Sequence, residues 1–182
     1  GADVFVIMTQ NAAKLVTPYT FETLSGNRVA TETFDHEKEF DVSHISYAKK
    51  ADIFVVAPAT ANSIAKFARG IADDMLSTTI LAANCPKMVC PAMNTGMYDD
   101  PATEDNLKLL KDRGYYIVEP DSGRLACGDT GKGRLAEPEA IVQKITEILL
   151  PKTDLAGKTL VVTAGATKET LDGVRYLSNE SS

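Results

Sequence analysis

Five short apolar runs rich in β-branched residues, separated by stretches of helical length, constrain this chain more than any other feature. They are residues 3–8 (DVFVIM), 53–57 (IFVVA), 87–90 (KMVC), 116–118 (YIV) and 159–163 (TLVVT). Runs so short and so continuously apolar suit strands buried on both faces, which is the situation of a parallel sheet. Between them, residues 43–50, 62–69, 74–83, 103–113 and 138–150 read as helices. Strands alternating with helices of this length build βαβ units, so the expected fold is α/β, a doubly wound parallel sheet with right-handed crossovers. Helix ends are signposted. Thr103 ahead of Glu104, Asp105 and Asn106 reads as an N-cap with acids in the first turn, and Gly114 as a stop. Glu137-Pro138-Glu139 opens the last helix, with proline in its first turn.

A chain of 182 residues suits one full domain and a fragment. After Leu150 the text turns polar, with Pro and Gly, and 151–158 reads as a linker. The run 159–163, followed by Ala164-Gly165-Ala166-Thr167, would open a second α/β domain that the remaining residues are too few to complete. A formal charge of -6 argues against a nucleic-acid partner, since such binders carry a basic face, but it leaves room for a small phosphorylated ligand. Three cysteines with no C-x-x-C pair suggest a reduced, cytoplasmic protein and no metal site. No apolar run approaches the roughly 20 residues that span a bilayer, and no leader pattern is seen, so no membrane partner is expected.

Ligands of open α/β sheets bind beyond the carboxyl ends of the strands. Three segments fall there: Met8-Thr9-Gln10-Asn11, Pro58-Ala59-Thr60-Ala61-Asn62-Ser63 and Pro91-Ala92-Met93-Asn94. Thr60, Asn62 and Ser63 place small polar groups at a helix start, where they could meet an anion or a polar ring edge, or simply cap the helix. Asn94 could brace a turn; alternatively its amide could hold a carboxylate, with Met93 and Met97 supplying deformable apolar surface around it. Cys85 and Cys90 read as core residues. Cys127 lies instead in the glycine-rich, charged stretch 121–134, a long loop beside Arg124 in surroundings that favour a reactive thiol. His44 follows Ser43 at a helix start and could be structural. His36, among Asp35, Glu37, Lys38 and Glu39, is assigned nothing.

Together these residues resemble the flavin-dependent cysteine decarboxylases. The likeness is carried by Pro91-Ala92-Met93-Asn94 with Met97, and by Ala126-Cys127-Gly128-Asp129 followed by Gly131-Lys132-Gly133-Arg134. Further matches are Ala57-Pro58-Ala59-Thr60-Ala61-Asn62, His44-Ile45-Ser46, Thr163-Ala164-Gly165-Ala166 and Val174-Arg175-Tyr176-Leu177-Ser178-Asn179. The resemblance implies a flavodoxin/Rossmann-like flavoprotein fold binding FMN through Thr9, Thr60, Ala61, Asn62, Ser63 and Ala92. It implies His44, Asn94 and Cys127 as catalytic residues: His44 as base or orienting group, Asn94 gripping the substrate, Cys127 donating a proton. Met97, Arg124 and Ala126 would join Asn94 around the substrate.

Among such decarboxylases the match is to those fused to a ligase, which implies 4′-phospho-N-pantothenoylcysteine as the small-molecule substrate and 4′-phosphopantetheine as product, in coenzyme A biosynthesis. The implied route oxidises the cysteine thiol to a thioaldehyde, so that carbon dioxide can leave to give an enethiolate, which is then reduced and protonated. Residues 1–150 would form the decarboxylase domain and 159–182 the truncated start of the ligase. In that last segment Gly173 stands where the family carries a proline. The resemblance also implies a further strand with a phosphate-holding turn ahead of Gly1, and a homo-oligomer, a trimer or a multiple of trimers. A peptidyl-cysteine decarboxylase, a non-enzymatic FMN-binding phosphatase regulator and a flavin prenyltransferase are the alternatives within reach of the same fold.

Overall fold

A computed structural model describes residues 1–33, 43–124, 128, 130–150, 157–161 and 168–178. The chain divides into two compact units, Gly1–Pro151 and Lys152–Ser182. The first opens with two helices, α1 (Gln10–Ala13) and α2 (Pro18–Ser25), and continues through α3 (Ser43–Lys50), β1 (Phe54–Ala59), α4 (Ala61–Arg69), α5 (Met75–Ala82) and β2 (Lys87–Pro91). It is completed by α6 (Thr95–Tyr98), α7 (Pro101–Asp112), β3 (Tyr116–Ile117), β4 (Asp121–Arg124), β5 (Thr130–Arg134) and α8 (Pro138–Leu149).

The central sheet is parallel in the order β1-β2-β3, with Val55 opposite Met88 and Met88 opposite Tyr116. Alternation along the strands divides its side chains between two cores. Phe54, Val56 and Val89 pack with Ile64, Phe67 and Ala68 of α4, Ile80 of α5, and Leu107 and Leu110 of α7. Met88 and Cys90 pack with Ile141 of α8, joined by Val55, Ile145 and Ile148. The sheet is therefore covered on both faces, as its continuous apolar runs require. Helix α4 shows how: Ile64, Phe67 and Ala68, three and four residues apart, form its buried stripe.

Three expectations for the first unit need correction. Residues 3–8 form no strand of the central sheet. A single parallel bridge joins Ile7 to Ala30, with Met8 N–H donating to Ala30 O at 2.9 Å and Ala30 N–H to Val6 O at 3.0 Å. With so short a ladder, Val4 and Phe5 stay exposed. Helix α7 begins before Thr103: Asp100 is its N-cap, accepting from Ala102 N–H at 2.8 Å, with Pro101 in the first turn and Thr103 buried behind them. Asp-Pro outcompetes the Thr-Glu signal because the proline ring fixes the first helical φ and sacrifices only an N–H that has no helical partner. Finally, 121–134 is not one long loop. Its ends pair as an antiparallel hairpin, β4 with β5.

Against expectation, residues 159–161 of the second unit form no strand; the strands it contains, β6 (Lys168–Thr170) and β7 (Tyr176–Ser178), pair antiparallel. Its turn is closed by Asp172, which accepts from Val174 N–H at 2.9 Å and Arg175 N–H at 2.7 Å and pairs with the Arg175 guanidinium. These bonds hold the Asp172 carboxyl below its ordinary range.

Candidate active site at the strand ends

Strands β1 and β2 run side by side until Val56, which lies opposite Val89; the register then shifts, and Ala59 re-pairs with Pro91. The Ala57–Pro58 peptide in that irregular stretch is cis. Ala92 N–H donates to Ala59 O at 3.0 Å, carrying the pairing past the strand end. Two motif turns, 58–63 and 91–94, are thereby laid next to each other at the carboxyl edge of the parallel sheet.

Each turn runs into a helix, and its polar side chain makes the cap. Thr60 Oγ1 accepts from Ser63 N–H at 3.3 Å and lies 3.2 Å from Ser63 Oγ. Thr9 does the same for α1, accepting from Ala12 N–H at 3.1 Å. Asn94 Oδ1 accepts from Gly96 N–H at 2.8 Å and caps α6. Both readings offered by the sequence thus meet in the same atoms: the residues that could touch a ligand are also the helix caps, and each cap orients its side chain at an N-terminus where unpaired N–H groups favour anionic or electron-rich partners. Ser63 and Ala92 are half-buried, whereas Thr60, Asn62, Asn94 and Met97 are exposed at this edge.

The hairpin backs onto the second turn. Its register slips between Asp121 and Ser122, so Gly133 forms a bulge between Arg134, paired with Asp121, and Lys132, paired with Ser122. The bulge turns Gly133 O toward Met93 N–H, which donates to it at 2.9 Å. Only glycine suits this position. Its φ is +143°, and a Cβ there would stand well under 3.0 Å from the Met93 carbonyl oxygen. At Gly131 a Cβ would meet Thr95 Oγ1 at 2.5 Å. The glycines that make 121–134 look like a loop are what lets β5 lie flush on Met93–Thr95.

His44 is carried separately, near the start of α3, a helix that packs against α5. It is half-buried, and its Nδ1 is enclosed without a hydrogen-bond partner, as is Thr95 Oγ1 under the hairpin. The structure therefore gathers Thr60, Ala61, Asn62, Ser63, Ala92, Asn94 and Met97 at one edge, while Thr9 and His44 are fixed by their own helices. Cys127 and Ala126 lie outside the described residues, as does the side chain of Arg124. Sequence reasoning missed Glu119, which precedes β4 and accepts from Tyr98, Lys111 and Lys132. The Tyr98 hydroxyl first, then the two lysines, hold its carboxyl down to about 2. A lone glutamate after a short strand carries no signal of such a role. Among the described residues, no cluster of His, Cys, Asp or Glu could hold a metal ion, and no helix is long and apolar enough to cross a membrane.

A parallel α/β sheet whose strand-end turns gather small polar groups at helix starts defines a nucleotide-cofactor-binding protein of the doubly wound class. Residues 1–150 match the family model described as Flavoprotein, and residues 155–182 match the DNA/pantothenate metabolism flavoprotein C-terminal domain. The chain belongs to the Flavoprotein family, that of the flavin-dependent cysteine decarboxylases. It is 50% identical over 183 residues to the coenzyme A biosynthesis bifunctional protein CoaBC of Bacillus subtilis (strain 168), and 45% identical over 182 residues to that of Escherichia coli (strain K12). Each comparison covers 100% of this chain and 45% of the relative, so the chain spans about half the length of the curated relatives it matches. Among solved structures it is similar to the FMN-dependent cysteine decarboxylase SpaF, with 36% identity and a TM-score of 0.69 over 80% of this chain and 77% of that one. A mutant of PPC decarboxylase complexed with pantothenoylaminoethenethiol gives 32% identity and a TM-score of 0.68, over 79% and 81%.

Proposed function

We propose that this chain carries an FMN-dependent decarboxylase that converts 4′-phospho-N-pantothenoylcysteine to 4′-phosphopantetheine, a step of coenzyme A biosynthesis. The observation that carries the reading is the seating of the hairpin, through Gly131 and Gly133, on the turn that ends in Asn94. It sets the strands flanking the Ala126-Cys127-Gly128-Asp129 motif beside the Pro-Ala-Met-Asn motif. The names of the relatives support the substrate, and the ethenethiol in the PPC decarboxylase complex supports an unsaturated thiol on the route.

The donor set at the strand ends fits FMN. Capped helix starts at Thr9 and Thr60 offer N–H groups and hydroxyls, and the enclosed, unpartnered Nδ1 of His44 is a polar atom awaiting a ligand. Thr9, Thr60, Ala61, Asn62, Ser63 and Ala92 would hold the cofactor. When bound, FMN supplies the electron sink without which a cysteine carboxylate has no path to leave.

The chain's own residues do the rest. Asn94, its amide oriented by the bond to Gly96 N–H, would meet the substrate carboxylate. Met97, Arg124 and Ala126 complete the substrate's surroundings. His44 orients the cysteine moiety or takes its proton, and Cys127 returns a proton to the enethiolate carbon. The hairpin excludes water from the reacting atoms.

In the same reading residues 1–150 are the decarboxylase domain, 151–158 a linker and 159–182 the opening of a ligase domain. The protein works in the cytoplasm as a trimer or a multiple of trimers. Exposed Leu15, Tyr19 and Leu24, on and between α1 and α2, support burial against another copy. Purified protein should be yellow, release FMN on denaturation, and yield carbon dioxide and 4′-phosphopantetheine from the phosphorylated substrate. Protein that takes up no FMN, or FMN-loaded protein that leaves the substrate intact, overturns the proposal.

A further inference from the structure

Glu119 lies in the short link between β3 and β4, and its carboxylate gathers donors from three other elements. Tyr98 OH, at the end of α6, donates to Oε2 at 2.6 Å. Lys111 Nζ, on α7, donates to Oε1 at 3.0 Å, and Lys132 Nζ, on β5, donates to Oε2 at 3.1 Å. The Lys132 ammonium also stands 5.1 Å from the centre of the Tyr98 ring. These partners are not scattered over the surface. Tyr98 ends the helix that Asn94 caps, and Lys132 stands between Gly131 and Gly133, the residues that bring β5 against Thr95 and Met93. Lys111 ties the node to α7, whose Leu107 and Leu110 are buried in the core.

Among the described residues, the fit of β5 on Met93–Thr95 rests on the Met93 N–H to Gly133 O bond and on the close approach of Gly133 to the Met93 carbonyl and of Gly131 to the Thr95 side chain. By itself such a fit fixes distance but leaves the strand able to slide. A carboxylate that accepts from both sides of that joint opposes the sliding, because moving β5 along the turn would stretch its bonds to Tyr98 OH and Lys132 Nζ together. We propose that Glu119 is a positioning residue of the decarboxylation site: by holding Tyr98 and Lys132 together it locks the β4–β5 hairpin in register on the Asn94 turn. The inference rests on the decarboxylase reading above for its kinetic consequences, but its structural consequence stands by itself.

The test uses the FMN-loaded full chain with Glu119→Ala, Lys132→Ala, the double variant and Glu119→Gln. Lys144→Ala, which removes an ion pair on α8, serves as control. FMN content should match the parent chain, because the proposed cofactor contacts lie on other elements. Turnover should fall about 10- to 100-fold in Glu119→Ala, the range for misplacing a reacting group by about an ångström, with a smaller change in KM. Hydrogen exchange in β4 and β5 should accelerate at least tenfold while β1 and β2 stay protected. The double variant should be no worse than the worse single one, since Lys132 acts through Glu119. Glu119→Gln, which keeps an acceptor for Tyr98, should recover part of the rate. Parent-like turnover and hairpin exchange in Glu119→Ala overturn the proposal; so does exchange that accelerates equally across the chain with loss of FMN, and so do independent, multiplying effects of the two substitutions. A parent chain without turnover would instead refute the decarboxylase reading, and the exchange measurement would still decide the role of Glu119.

Discussion

Gly133→Ala tests the joint between hairpin and turn most directly. Two costs follow from the structure. A backbone at φ +143° is one that residues with a Cβ rarely adopt, and holding alanine there costs about 1–3 kcal/mol. The new methyl group would also overlap the Met93 carbonyl, which is backbone and cannot rotate away. The strand must retreat, and the 2.9 Å bond from Met93 N–H to Gly133 O is lost, another ~0.5–1.5 kcal/mol. The sum is about 2–4 kcal/mol, bounded above by the energy that docks the hairpin, since the hairpin can detach instead. If the strain is absorbed globally, Tm falls by about 5–15 °C in a chain of this size. If the hairpin lifts, Tm moves little and the amides of 121–124 and 130–134 exchange freely. Thermal unfolding followed alongside hydrogen exchange distinguishes the two. Gly26→Ala is the matched control: its φ is +72°, nothing lies within 4 Å of a Cβ there, and only the conformational cost applies. Parent-like Tm together with parent-like hairpin exchange in Gly133→Ala would refute the close approach on which the site is built.

Gly131→Ala should cost less, because its obstacle is the Thr95 side chain at 2.5 Å, and adding Thr95→Ala should restore most of the lost stability in urea titrations. Asp74 caps α5 through a capping box and pairs with Lys66 at 2.8 Å; burial works to raise its pKa, but bonds from Lys66 and Ser77 outweigh it and hold the carboxyl below its ordinary value. That stabilisation is full above the unfolded carboxylate range and lost as pH falls through the lowered folded value, so Asp74→Asn should be about 1 kcal/mol less stable in urea at pH 7, with the gap closing once the pH drops below the ordinary carboxylate range. On its proposed role, Asn94→Asp keeps the cap on Gly96 N–H while setting a negative charge against the substrate carboxylate; turnover should vanish with FMN content and Tm retained, and unchanged kinetics would leave Asn94 a helix cap alone. Cys127→Ser should release carbon dioxide but form the saturated product about 10²- to 10⁴-fold more slowly, with the unsaturated thiol accumulating in mass spectra.

The sheet is legible in the sequence where burial on both faces forces continuous apolar text. Phe54, Val56 and Val89 on one face and Val55, Met88 and Cys90 on the other leave no polar position to blur the signal. Helix α3 is read to its ends, and α4 and α5 to within a residue, since Thr60 and Asp74 are strong caps. The hairpin is illegible for the opposite reason. Its strands contain Gly123, Gly131 and Gly133, and glycine ordinarily argues against a strand; here the missing Cβ atoms are what the strand is for. Residues 3–8 read as a strand because local pattern cannot report whether pairing partners exist. Helices α1, α2 and α6 escape notice as well: two are a single turn long, and α2 buries no residue that would set a periodic stripe. Of the site, the motif turns were visible as strings, while their adjacency depends on the register shift after Val56, and Glu119 becomes meaningful only when three distant residues converge on it.

The burial of Cys90 makes the fold addressable by a chemical label. Enclosed in β2 with no exposed surface, its thiol is pushed up to about 11 by burial, so at neutral pH it stays protonated and offers little of the thiolate that alkylating reagents attack. Cys85 is half-buried, and burial raises its thiol as well. Cys90 is therefore quiet in the native chain, and the same burial slows Cys85. Unfolding reverses this: Cys85 and Cys90 regain ordinary reactivity together, and the labels they gain in a brief pulse count the unfolded molecules directly, one chain at a time, in a mass spectrum.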